Sequence, residues 1–115
     1  AHVARAAVAW DRYGNVGLVV GATQPDALRT VRALAPELPL LVPGVGAQGG
    51  ELAVAVREGL DRQAGGLLIA ASRAILYASA GDDWQQAARE ATQTLRDAIN
   101  ALREASGHGA GSLSR

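Results

Sequence analysis

Three segments hold the residues whose types and spacing suit chemistry, and each directly follows an apolar run. They are Gly21-Ala22-Thr23-Gln24-Pro25, Pro43-Gly44-Val45-Gly46-Ala47-Gln48-Gly49-Gly50 and Ala71-Ser72-Arg73-Ala74. The second places four glycines within seven residues (Gly44, Gly46, Gly49 and Gly50) immediately before a helical stretch. Glycine lets a backbone approach a ligand closely and present its amides to an anion, and a helix start adds unpaired N–H groups that favour negative charge. A flexible turn is the plain alternative for such a loop. The third segment sets Arg73 at the end of an apolar run, among apolar neighbours, where a guanidinium must find an anion or reach solvent. An ion pair with a nearby carboxylate is one answer. A phosphate is the other, and two successive runs ending in a glycine-rich loop and in Ser72-Arg73 favour it.

The remaining reactive side chains point elsewhere. There is no cysteine, which excludes disulfides, thiolate metal sites and cysteine nucleophiles, and every basic residue is arginine. Without lysine, Schiff-base chemistry and lysine acid catalysis cannot come from this chain. His2 and His108 sit near the two ends with no carboxylate at ligand spacing, so no metal site is expected. Asp82 and Asp83 suit a helix start better than a pair of acid–base carboxylates. Tyr77 and Trp84 read as packing residues rather than a platform for stacking bases.

These segments need elements to hold them. Val16 to Val20 (VGLVV) is a continuous apolar run of the length and branching expected of a strand buried on both faces; Leu38 to Val42, an apolar run broken by Pro39 at its start, and Gly66 to Ala70 (GLLIA) read as the next two strands. Helical spacing surrounds them. Ala1 to Arg12 sets Val3, Ala6, Ala7 and Trp10 on one face; Gln24-Pro25-Asp26 opens a helix striped by Leu28, Val31, Leu34 and Ala35 and closed by Pro36. Glu51 to Leu60 is helical, and Asp83 to Ala105 forms a long helix whose buried face runs Trp84, Ala88, Ala91, Leu95, Ala98, Ile99 and Leu102, with Asp83 and Gln86 spaced as a capping box. Ala71 to Ala80 reads as a connection. Residues 1–106 are expected to form one unit, and 107–115 (GHGAGSLSR), rich in glycine and serine, a disordered tail.

Strands alternating with helices predict an α/β fold with parallel strands, either a segment of a (β/α)8 barrel or a doubly wound sheet. A parallel sheet of three strands leaves two apolar edges open, so missing strands or a second copy of the chain are expected beside it. The first residues read as a helix already under way, which suggests a piece of a larger protein. Eleven basic and eleven acidic residues give no net charge and no basic stripe, arguing against nucleic acid. No apolar run approaches a bilayer's width, so no membrane role is expected, and the absence of cysteine fits the cytoplasm.

GLVVGAT with Pro25, then LPLLVPGVGAQGG, then GLLIAASRAILYA, resembles the end of orotidine 5′-phosphate decarboxylases, particularly the bacterial branch with the GAT-x-P pattern. The resemblance covers residues 1 to about 105 and implies the C-terminal three strand–helix units of a TIM barrel. It implies that Gln48 reaches over the substrate to its phosphate and pyrimidine. Arg73 pairs with the phosphate, aided by the amides of Ser72 and Arg73, while Gly44, Gly46 and Gly49 let the loop approach it. Thr23 and Pro43 fall toward the pyrimidine end, though a strand-end turn explains Thr23 equally well. The family strand usually ends Asn-Ser-Ser-Arg-Gly or Gly-Arg-Ser; here it reads Ala70-Ala71-Ser72-Arg73-Ala74, which keeps the arginine and changes its small neighbours.

The same resemblance implies a reaction, orotidine 5′-phosphate to UMP and carbon dioxide in pyrimidine biosynthesis, with no metal or organic cofactor. The proton donor there is a lysine in an Asp-Lys-Asp network on earlier strands. This chain therefore holds phosphate contacts without the reacting groups and is expected to be inactive alone, and a homodimer is expected of the whole. The competing expectations are another phosphate-binding barrel, such as a sugar-phosphate isomerase or synthase, and a non-catalytic barrel fragment.

Overall fold

The computed structural model describes residues 1–46 and 49–106. The expected elements are present in order: α1 (His2–Trp10), β1 (Leu18–Val19), α2 (Pro25–Leu34), β2 (Leu40–Val42), α3 (Gly49–Gly59), β3 (Leu67–Ile69), α4 (Ser72–Leu76) and α5 (Trp84–Ala105). The expected tail at 107–115 lies outside the described residues. The segment read as a plain connection after β3 contains the short helix α4.

The strands form one parallel sheet in the order β1-β2-β3, with Leu18 opposite Leu40 and Leu40 opposite Leu67. Successive side chains on a strand point to opposite faces. On one face Leu40 and Val42 are fully buried with Leu28, Leu52, Ala55 and Val56, and Leu95, Ala98, Ile99 and Leu102 of α5 close over the same cluster. Burying a side chain of this size contributes roughly 1.5–3 kcal/mol. A smaller cluster of Ala7, Ala35 and Leu38 ties α1 to α2.

Among the described residues the other face carries no helix. Val19, Leu41 and Leu68 stand in register across the three strands at 68%, 36% and 60% exposure. The expectation that Val16 to Val20 forms a strand buried on both faces is corrected: one face of the sheet packs and, among the described residues, the other is open. That asymmetry separates the two architectures left open by periodicity. A doubly wound sheet carries helices on both faces, whereas a barrel wall carries them on the outside only and turns its second face inward. Sequential parallel order with all helices on one face is a partial (β/α) barrel.

Other assignments also change. In α1 the buried residues are Ala4 and Ala7, while Val3 and Trp10 are 69% and 70% exposed, because the helix meets α2 through its small side chains. Trp84 and Tyr77 are exposed rather than packed. Asp83 does stand at the N-cap of α5, but its carboxylate accepts a hydrogen bond from Ser79 Oγ at 2.5 Å and caps no amide of the helix. The capping box is therefore absent.

Among the described residues one charged side chain lies inside. Arg32, on the apolar stripe of α2, donates to the carbonyls of Gly59, Ala35, Pro36, Leu38 and Gly66. These belong to the end of α3 and to the turns entering β2 and β3, so a single planar guanidinium gathers the N-terminal ends of the strands. Burial holds its pKa below the usual guanidinium value, with Asp61 acting in the opposite sense.

Candidate functional site

The other ends of the strands are open. A cleft of about 690 Å³ lies where β2 and β3 finish, walled by Pro43–Gly46 on one side and Ala70–Ala74 on the other. Adjacent parallel strands bring these stretches together, since the Ala70 amide donates to the Val42 carbonyl at 3.1 Å and extends the ladder to the rim. Two of the three segments singled out from the sequence thus share one cavity.

Its first wall is anchored step by step. The Ala22 amide donates to the Pro43 carbonyl at 3.3 Å, Val45 is buried in the main core, and the Gly46 amide donates to Glu51 Oε2 at 3.2 Å. Gly44 takes a φ of +80°, a backbone region that disfavours any side chain, so the turn between Pro43 and Val45 depends on glycine. Gly49 is the first residue of α3. Gln48 lies outside the described residues.

The second wall begins α4. Ser72 and Arg73 are its first two residues, and first-turn amides have no intrahelical acceptor. The Arg73 side chain is exposed and makes no salt bridge among the described residues; the ion pairs present join Arg29 to Asp26 and Glu58, Arg57 to Glu58, and Arg96 to Asp97. The ion-pair explanation for Arg73 is therefore not realised. Thr23 is exposed beyond β1, outside the cleft, while Pro43 lines it.

Glu51 is the residue that sequence reasoning passed over at this end. An acidic residue in the first turn of a helix that follows a glycine-rich loop was the available signal. No group of three or more His, Cys, Asp or Glu residues suited to a metal occurs among the described residues, and no helix there is long and apolar enough to cross a membrane. In chemical terms the described residues lining the cleft offer the Arg73 guanidinium, the Ser72 hydroxyl and glycine-bearing backbone, and among them no pair of acid–base side chains.

Comparison with known proteins identifies the family and the fold. The family model described as orotidine 5′-phosphate decarboxylase / HUMPS family matches residues 1–91. The chain is 58% identical over 103 residues to the orotidine 5′-phosphate decarboxylase of Paracidovorax citrulli (strain AAC00-1), covering 89% of this chain and 37% of that protein. It is 56% identical over 94 residues to that of Azoarcus sp. (strain BH72), covering 82% of this chain and 35% of that protein. It therefore spans little more than a third of the length of these curated relatives. Among solved structures it resembles Leishmania donovani OMP decarboxylase, with a TM-score of 0.70, 41% identity, and coverage of 89% of this chain and 36% of that one. It also resembles Leishmania donovani UMP synthase, with a TM-score of 0.68, 47% identity, and coverage of 89% and 22%. Those neighbours carry the TIM barrel of which this sheet is a part. Sequence and fold together place the chain in the orotidine 5′-phosphate decarboxylase / HUMPS family.

Proposed function

We propose that this chain supplies the phosphate-gripping units of an orotidine 5′-phosphate decarboxylase, the C-terminal three strand–helix units of its barrel. The observation that carries the reading is the shared cleft, in which a guanidinium without a carboxylate partner faces a glycine-bearing backbone wall at the C-terminal ends of adjacent parallel strands. Barrels of this kind bind phosphate after their last strands. Arg73 pairs with the phosphate, the amides of Ser72 and Arg73 assist, and Gly44, Gly46 and Gly49 let the loop backbone come near it. Gln48 joins the phosphate to the pyrimidine, and Pro43 and Thr23 lie toward the base.

The chain contributes binding rather than bond breaking. It has no lysine to return a proton to the pyrimidine carbon after carbon dioxide leaves. Energy gathered at a remote phosphate still assists such a reaction by holding the substrate in place. The reacting groups come from the preceding strands of the barrel, whose side chains also cover Val19, Leu41 and Leu68, and the complete enzyme works as a cytoplasmic homodimer without metal or organic cofactor.

Titration of the chain with UMP and with uridine tests this directly. UMP should bind and uridine should not, and equal weak binding of both would remove the phosphate site. Decarboxylation should appear only when the N-terminal remainder of a relative is added in trans. Turnover by the chain alone would overturn the division of labour.

A further inference from the structure

Gly46 belongs to two cavities at once. It lines the cleft that holds Arg73, and with Ala71 and Ala74 it also lines a second, mainly apolar cavity of about 300 Å³ beneath α4, closed by Leu52, Ile75, Leu95 and Ala98. The wall at Gly46 is therefore a partition with space on either side. Without a side chain, Gly46 has nothing to wedge into its neighbours. Val45 anchors the residue before it in the core, and among the described residues Gly46 itself is held by the hydrogen bond that its amide donates to Glu51 Oε2.

We infer that Glu51 is a positioning residue of the anion cleft: standing outside the cavity, its carboxylate grips the Gly46 amide and fixes the backbone wall that faces Arg73. This rests on the phosphate reading of the cleft. Glu51 does not line the cleft itself, so it acts on a ligand through Gly46. Its place in the first turn of α3 suits a carboxylate, because the helix start carries partial positive charge. The carboxylate is thereby held at a rigid element, and a hydrogen bond to a charged acceptor is stronger than one to a neutral group. Losing it frees the partition to move into the apolar space behind it. The cleft then loses its shape while the sheet and its core stay intact, because Leu40, Val42 and Val56 do not depend on Gly46.

The test uses the 115-residue chain, UMP as the probe, and amide resonances as the readout. Glu51→Ala should weaken UMP binding roughly tenfold, the scale of one hydrogen bond to a charged group, and should speed exchange of the Gly46 amide with little change in melting temperature. Glu51→Gln keeps an acceptor oxygen at the same reach without the charge, and should restore affinity and protection in part, to values between those of the alanine variant and the unaltered chain. If the alanine variant does not fold, Glu51→Asp takes its place, since it keeps the charge at the helix start but withdraws the oxygen by one methylene. Unchanged UMP affinity in Glu51→Ala, or a glutamine variant as weak as the alanine one, overturns the inference. If the unaltered chain fails to distinguish UMP from uridine, the phosphate reading fails separately. Gly46 exchange then decides the grip alone: faster exchange in Glu51→Ala supports it, and unchanged exchange overturns it.

Discussion

Arg32 and Gly59 lie 27 residues apart, yet the Arg32 Nε–H donates to the Gly59 carbonyl at 2.8 Å inside the protein. The same guanidinium reaches Leu38 O at 2.8 Å and Gly66 O at 2.9 Å, so three chain segments share one donor group. Replacing Arg32 by alanine leaves several buried carbonyls without their partner. Each costs about 1–3 kcal/mol, so a total loss on the order of 3 kcal/mol or more is expected. Arg32→Lys keeps the charge but cannot match the planar fork, and should fall between. Urea denaturation of the three proteins measures this, and equal midpoints would show that the network is incidental.

Arg73 should behave in the opposite way. Its side chain is exposed and tied to no carboxylate among the described residues, so Arg73→Ala should leave the denaturation midpoint unchanged within about 0.5 kcal/mol, the range of ordinary surface substitutions. UMP affinity of the chain should nevertheless fall. In a complete barrel, where the phosphate is shielded from water, the loss should grow to about 2–5 kcal/mol. A variant that loses stability and binds UMP and uridine with the same deficit assigns Arg73 to structure.

Much of this was legible before any coordinates. Leu38 to Val42 and Gly66 to Ala70 read as strands because continuous branched runs have few other uses, and Pro25 marked the start of α2. The cleft was legible in outline, since Gly44, Gly46, Ser72 and Arg73 each follow directly on a strand. What could not be read depends on contacts made far along the chain. Arg32 shares the α2 face of Leu28 and Ala35, but its charge assigns it to solvent until the carbonyls of Gly59 and Gly66 are seen to converge on it. Val19, Leu41 and Leu68 sit in apolar runs that announce burial, but a run does not say whether its second face is covered from within the chain. Glu51 resembles any acidic residue at a helix start, and only the position of Gly46 gives it a task.

The two faces of the sheet offer a paired test of the barrel-wall arrangement. Leu40 is fully buried against the helices, so Leu40→Ala should cost about 2–5 kcal/mol. Leu68, on the neighbouring strand and the opposite face, is 60% exposed. Leu68→Ser should change stability by less than about 0.5 kcal/mol and should lower self-association in sedimentation, as expected when an open apolar row loses one of its side chains. A large stability loss from Leu68→Ser would mean that this face is already packed in solution.

Acid should weaken the junction of α2 and α3 through Glu58. Arg29 meets it twice, Nε to Oε2 at 2.9 Å and Nη2 to Oε1 at 3.2 Å, and Arg57 Nε adds a third contact at 3.1 Å. The Arg29 hydrogen bond, followed by that from Arg57, holds the Glu58 carboxyl below its ordinary value. A carboxyl whose folded pKa is depressed binds its proton more readily in the unfolded chain, so falling pH favours unfolding. The stabilisation is complete above the unfolded value of about 4.3 and drains away as pH drops from there through the depressed folded value. Both arginines are largely exposed, at 61% and 64%, which screens the pair and keeps the effect small. Denaturation midpoints of the unaltered chain and Glu58→Gln should therefore differ at pH 7 and draw together as the pH falls below about 4. A difference that persists undiminished in acid would mean that Glu58 contributes by packing and not by charge.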